Sequence, residues 1–500
     1  MGWFWPEKRR CHWKVRRGLN GLLYEGICAQ IMGALTGGAF LVAFALSIGA
    51  SNKVIGLLAA IGPMTQLLQI PSVVLVDRIR LRKLITVIAV FVSRLFWIAI
   101  ALIPFVIPED FRIPVFLICL VLFSGIGSVA SCSFNSWIRD AVPEKIMGRF
   151  FSRRLAISTA VAAAISIAGA IVVDIFSRGG AIDSKIYSAL FFVGTICGLI
   201  GVFFFKRVPE PRLATPRADG LLPLLRQPFK NDNFRSLLVF LGLWNFAVNL
   251  AAPFFTVFLL KELRLNLAWV LALSILSQAV NVIFLRVWGK LADRFSNKSI
   301  LAVSGPLFMI SIILWPFTTM PERYAGTIPL VILIHVLAGI STAGVTLCAG
   351  NIAMVSAPKG EATAYLAVNA LVSGIAAAIA PIIAGISADF FTLKELSVDL
   401  SMGELGVEGK RIALYALNLR GLDFLFFFSF LCGIFALERL VAIHETGHVK
   451  KRVVVNEFFG EVRKMTRSVS NVAGLRQLTY FPYSRLRDLL KRRPVSRPPS

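Results

Sequence analysis

The chain alternates long apolar runs with short knots of charge. Uncharged stretches cover 27–51, 54–76, 113–138, 236–260, 299–320, 324–358 and 362–388. A helix needs roughly 20 apolar residues to cross the hydrocarbon core of a bilayer, and each stretch is long enough. Four more, 84–107 (interrupted by Arg94), 155–173, 186–205 and 265–285, bring the count to eleven. A twelfth, 424–437, is uncharged for only 14 residues and sets Asp423, Glu438 and Arg439 at its rims, which long side chains tolerate. The pattern predicts an all-α membrane protein with twelve transmembrane helices, numbered here as spans 1 to 12.

Composition agrees: 57% of residues are hydrophobic and 16% charged, against about 25% charged in soluble domains. The net charge of +26 would suit nucleic acid, but its distribution points elsewhere. With a cytoplasmic start, the inner segments are 1–22, 77–83, 139–154, 206–235, 286–298, 359–361 and 438–500. They hold 41 of the 53 Lys and Arg. That is the positive-inside bias, with both termini cytoplasmic and the cell membrane as the default location. No basic domain stands apart from the spans, so nucleic acid is not an expected partner; membrane lipids are. Six of the seven cysteines lie in spans, at spacings that suggest no disulfide framework or metal site. The basic head precedes a full-length span without a small-residue cleavage site, so no signal peptide is expected. Pro6 stands where a myristoylation signal needs Ser or Thr.

The charged knots repeat. Asp77-Arg78 pairs with Asp293-Arg294 at an offset of 216, and at that offset Arg82 falls on Lys298 and Asn135 on Asn351. Pro143 falls on Pro358 at 215 and Gly125 on Gly339 at 214. The chain therefore reads as two pseudo-symmetric six-helix halves, 22–205 and 236–443. A Pro-rich basic linker at 206–235 joins them, between a basic head (1–21) and a basic tail (444–500). Two such halves with a charged motif after spans 2 and 8 resemble the major facilitator superfamily. Its motif runs roughly G-x-x-x-D-[RK]-x-G-[RK]-[RK]. Gly289, Asp293, Arg294 and Lys298 match it; the first copy keeps Asp77, Arg78, Arg82 and Lys83 but has Val73 in the glycine's place. Neither copy has the inner glycine. The basic "VPEKIMGRFFSRR" (142–154) also resembles the loop after span 4 in that superfamily.

Physically, Gly289 would let two backbones approach closely, Asp293 would meet a helix N-terminus or a basic partner, and the cations would hold the turn on one side. The resemblance implies a latch between halves; a plain topology anchor is the alternative. It also implies alternating access around a midplane cavity. Polar residues in spans are costly in hydrocarbon and become the site candidates. Ser274, Gln278 and Asn281 share one face of span 8; Asn245 and Asn249 sit one turn apart in span 7; Gln30 and Gln66 lie in spans 1 and 2. Amides suit an uncharged or zwitterionic solute, and bonding between helices is their ordinary alternative role.

Arg94 lies 11 residues past Lys83, roughly 16 Å along a helix and so near midplane, with no evident partner. It would bind an anionic substrate or pair structurally. Glu25 and His335 are candidates for proton coupling; an interfacial carboxylate and a packed neutral imidazole are the plainer readings. Asp174 and Asp389 read as helix-end residues. Span 5 lacks the glycine–proline pair of some drug exporters; span 11 carries the looser "APIIAG". In the tail, Val455, Phe459, Val462, Met465 and Val469 share a helical face fit for an anionic membrane surface. The long outer segment 389–420 has room for a short helix. No span shows catalytic or metal-ligand spacing, so neither an enzyme nor a cofactor is expected. The expected protein is a monomeric secondary transporter of a small polar organic solute, with an exporter of amphipathic compounds or a non-transporting receptor or scaffold as rivals.

Overall fold

A computed structural model of the chain describes residues 7–69, 71, 72, 75, 79, 81–142, 144–176, 184–210, 228–319, 323–357, 362–403, 411–445, 449 and 451–470. The first half comprises α1 (Glu7–Thr36), α2 (Gly38–Ser47), α3 (Asn52–Gln66), α4 (Arg82–Val106), α5 (Glu109–Ala141), α6 (Glu144–Phe176) and α7 (Ser184–Phe204). The second comprises α8 (Asp232–Lys261), α9 (Leu267–Arg294), α10 (Asn297–Ile313), α11 (Thr327–Val355), α12 (Ala362–Phe391) and α13 (Leu422–Val441), and α14 (Lys451–Ser470) follows. Among the described residues, ten helices are long and apolar enough to cross a bilayer. Two further helices are shorter: α3, with 15 residues in span 2, and α10, with 17 in span 9. Polar caps start several helices: Ser51, Asn231, Asn266 and Ser296 each accept from the backbone N–H three residues on.

Span 1 is broken rather than continuous. Gly38 has φ +54°, and a β-carbon on Gly37 would lie 2.8 Å from the Gly33 carbonyl oxygen. Only glycines allow that turn between α1 and α2. The outer segment also departs from expectation. Instead of a short helix it forms an antiparallel hairpin, β1 (Glu395–Gly403) with β2 (Arg411–Arg420), bulged between Val398 and Asp399. The alternation in "ELSVDLSMG" has the strand period of two, which wins over helix in a stretch without a 3.6-residue stripe.

Aromatic clusters fill each half: Phe44 with Phe116 and Phe191 in the first, Trp315 with Phe258 and Phe426 in the second. Large apolar side chains such as Phe105, Phe176, Phe203 and Phe390 stay exposed, as lipid-facing positions do.

The duplication reappears as two matching clasps. At the start of α4, Lys83 N–H donates to Glu210 Oε1 (2.9 Å) and Lys83 Nζ to the Val208 carbonyl (2.8 Å). At the start of α10, Lys298 N–H donates to Glu445 Oε2 (2.7 Å) and Nζ to the Val441 and Ile443 carbonyls (2.8 and 2.7 Å). Each lysine thus ties the start of one helix to the chain just past another. Lys83, not Arg82, is the counterpart of Lys298, at an offset of 215. The clasping glutamates are 235 apart (210 and 445), because the hairpin lengthens the second half before its last span.

Two aspartates join the halves. Asp174, at the end of α6, accepts from the N–H groups of Leu267 and Ala268 at the start of α9 (3.2 and 3.1 Å). Asp389, at the end of α12, accepts from those of Asn52 and Lys53 at the start of α3 (both 3.1 Å). Both the acceptors and the capped helix starts are 215 residues apart. Beside the second cap, α3 and α12 touch through bare backbone: a β-carbon on Gly56 would run into the Pro381 carbonyl, and one on Gly385 would lie 2.6 Å from that of Asn52.

Candidate functional site

Helices α1, α4 and α6 converge on a buried charge cluster. Glu25 is 4% exposed and uses both carboxylate oxygens: Oε1 accepts from Arg94 Nη2 at 3.1 Å, Oε2 from Arg154 Nη2 at 2.9 Å. Arg94 Nη1 also donates to the Gly198 carbonyl, and Arg154 Nε to that of Leu22 (3.0 Å). Phe134 faces the Arg154 guanidinium at 5.8 Å. Two guanidiniums sharing one carboxylate leave a net charge of +1.

Glycines make room for it. A β-carbon on Gly26 would collide with the Arg154 guanidinium, and one on Gly201 would lie 3.2 Å from Arg94 Nη1. Gly194 and Gly198, a small-xxx-small pair on α7, let α1 approach through Leu35 and Met32. The cluster borders a cavity of about 300 Å³ lined also by Ser93, Ser131, Thr36, Met32, Phe123 and Phe134.

A second cavity, about 260 Å³, lies in the other half among Thr256, Ser274, Ser277, Ser311, Trp315 and His335. His335 Nδ1 is 2.8 Å from the Val331 carbonyl, which can only accept. Nδ1 therefore carries a proton, and in the neutral ring Nε2 is then an acceptor. Each of these two cavities draws its lining from one half of the chain.

The sequence profile of the Major Facilitator Superfamily matches residues 26–381. The chain belongs to that superfamily. Its fold is similar to that of the nucleoside transporter NupG, with TM-score 0.61 and 12% identity over 86% of this chain and 98% of that one. A bacterial homologue of the iron transporter ferroportin in an inward-facing state is similar too (0.60, 12%, 86% and 98%). So is a POT family transporter in complex with 5-aminolevulinic acid (0.57, 13%, 85% and 95%). At these identities the likeness is one of fold alone. No curated protein sequence matches the chain.

Within this superfamily fold, the residues expected from the sequence are scattered. Arg94 has the partner that the sequence left unnamed, Glu25. Glu25 itself is the buried centre of the cluster. Arg154 was hidden in a stretch read as a loop; α6 runs through it and delivers the side chain to Glu25. Of the span 8 face, Ser274 lines the second chamber; Gln278 is exposed and Asn281 half-buried, and neither lines either of the two chambers. Asn245 and Asn249 spend their amide N–H groups on α8 itself, at the Leu241 and Asn245 carbonyls (both 2.8 Å). Gln30 and Gln66 are exposed and line neither chamber.

Asp77, Arg78 and the side chain of Asp293 lie outside the described residues. Arg82 is buried and its carbonyl accepts from Ser133 Oγ (2.9 Å). Among the described residues Gly289 meets nothing nearer than Leu347 at 4.0 Å, whereas Gly339 serves close approach, 2.5 Å from the Ser277 carbonyl. Arg294 pairs with Glu457 at 2.9 Å and Lys290 with Glu461 at 3.4 Å, both on α14. The tail helix is therefore docked on protein. The docked face carries Val454, which is fully buried, and Phe458, which stacks on Trp288 at 4.5 Å, while Phe459 of the expected membrane-facing stripe is exposed. The side chains of Met465 and Val469 lie outside the described residues.

Proposed function

We propose that the chain is a secondary transporter that moves a small polar organic solute across the cell membrane by alternating access, as a monomer with both termini cytoplasmic. The observation that carries this reading is the pair of symmetry-related aspartate caps between halves. Such caps can break and re-form without disturbing the core of either half, as a rocking cycle requires. Asp174 and Asp389 would then hold the outer end shut, leaving the cycle to open at the end bearing the charged knots. The Arg294–Glu457 pair makes the second knot an anchor for the tail in this conformation, and the latch role belongs to another stage of the cycle.

Proton coupling is assigned to Glu25, since both guanidiniums rest on its carboxylate and are freed when it is protonated. His335 is the second candidate, through its open Nε2. The test is uptake into proteoliposomes of a radiolabelled panel of sugars, amino acids, nucleosides and organic acids, with and without an imposed pH gradient. Saturable, gradient-driven uptake is expected, and Glu25→Gln should retain exchange while losing accumulation. Folded protein that moves no solute would leave the receptor or scaffold reading in its place.

A further inference from the structure

We infer that the chamber beside Glu25 binds a small organic monoanion through Arg94 and Arg154, with Glu25 as the resident carboxylate that the solute displaces or joins. The inference rests on the transport reading for its biological sense but on separate atoms for its chemistry. Charge sets the class. Glu25 is the one acid paired with either arginine among the described residues, so the buried cluster carries +1. A single negative charge neutralises it; a dianion would leave −1 in a low-dielectric site, and a cation would raise it to +2, both costly.

Donors remain for that anion. Arg154 Nη1 and Arg94 Nε have no hydrogen-bond partner among the described residues. Guanidiniums on two different helices offer forked donors suited to a carboxylate. The rest of the chamber sets the body of the solute. Met32, Val90, Phe123 and Phe134 line it, with the hydroxyls of Ser93 and Ser131, in about 300 Å³. That fits a compact acid with an apolar or aromatic body rather than a sugar. The seat is built from the sequence: Gly26 and Gly201 admit the two guanidiniums, and the Leu22 and Gly198 carbonyls aim them.

The test uses the full chain in detergent and four probes of one shape: benzoate, benzamide, isophthalate and benzylamine. Thermal stabilisation by benzoate alone is expected. Arg94→Gln and Arg154→Gln should each weaken benzoate about tenfold or more, the worth of one charge-assisted bond. Glu25→Gln, which removes the resident carboxylate, should strengthen benzoate and admit isophthalate. Gly26→Ala displaces the Arg154 guanidinium without altering charge, and should weaken benzoate even if an arginine variant does not fold. Equal stabilisation by benzoate and benzamide, weaker benzoate binding in folded Glu25→Gln, or silence of all four probes on folded parent protein overturns the inference. Uptake of neutral solutes unaffected by Arg154→Gln would overturn it while leaving transport intact. Benzoate binding without movement of any solute would do the reverse.

Discussion

Replacing Asp174 and Asp389 by asparagine asks whether two helix caps hold the halves together. Each carboxylate accepts two backbone N–H groups, at 3.1–3.2 Å, from the first turn of a helix in the opposite half. Each also places negative charge at the positive end of that helix. Asparagine keeps the shape and one acceptor but loses the charge and the second acceptor. The loss is about 1 kcal/mol per site, mid-range for caps and helix-end charges. The caps sit on different helix pairs, so their losses add to about 2 kcal/mol. The opening constant of this end should then rise about fivefold in either single variant and about 30-fold in the double. The assay is double electron–electron resonance in a cysteine-free background, with nitroxides at Asp110 and Leu393. Both are exposed at this end, one in each half, and Leu393 is 94% exposed. Gly385→Ala is the positive control, since its β-carbon would press on the Asn52 carbonyl at 2.6 Å and part α3 from α12. If the control lengthens the distances while the double variant matches the parent, glycine packing holds this end and the caps do not.

Gly26→Ala should abolish transport and lower the melting temperature, because the added methyl displaces the Arg154 guanidinium from buried Glu25; parallel uptake and melting measurements check this. Lys298→Met leaves the Val441 and Ile443 carbonyls without their shared donor and should cost about 1–2 kcal/mol in reversible unfolding in mixed micelles. Phe458→Ala removes the ring stacked on Trp288 and should release α14, seen as faster proteolysis between 451 and 470. Charge reversal at Glu457 should matter less, since Arg294 is largely solvated. At the hairpin, hydrogen bonds from Arg420 and then Asn418 hold the Glu395 carboxyl below its ordinary pKa. The stabilisation is full above that ordinary value and is lost as pH falls through the lowered one. The protection of amides in Arg411–Arg420 against hydrogen exchange, after correction for the intrinsic pH dependence of exchange, should therefore fall on acidification and not on alkalinisation.

The spans, the duplication and the superfamily were legible because hydrocarbon imposes a length and a polarity that each segment must satisfy by itself. Arg94 could be flagged on that ground alone: a charge near midplane needs a partner wherever the chain folds. Which partner it takes was not local information. Glu25, Arg94 and Arg154 are separated by 69 and 60 residues in sequence, and only the packing of α1, α4 and α6 brings them within 3.1 Å. What the amide face of span 8 meets was likewise not local information. Periodicity places Ser274, Gln278 and Asn281 on one side of a helix, but neighbouring helices decide whether that side faces a chamber. Asp174 and Asp389 were correctly placed at helix ends; that each caps a helix of the opposite half depends on how two separately folded halves meet. The sequence by itself determined what must lie in the membrane and that it lies there twice. Tertiary structure decided which charges pair and where the halves touch, because those contacts are set by side chains distant in the chain and by glycines that let helices close.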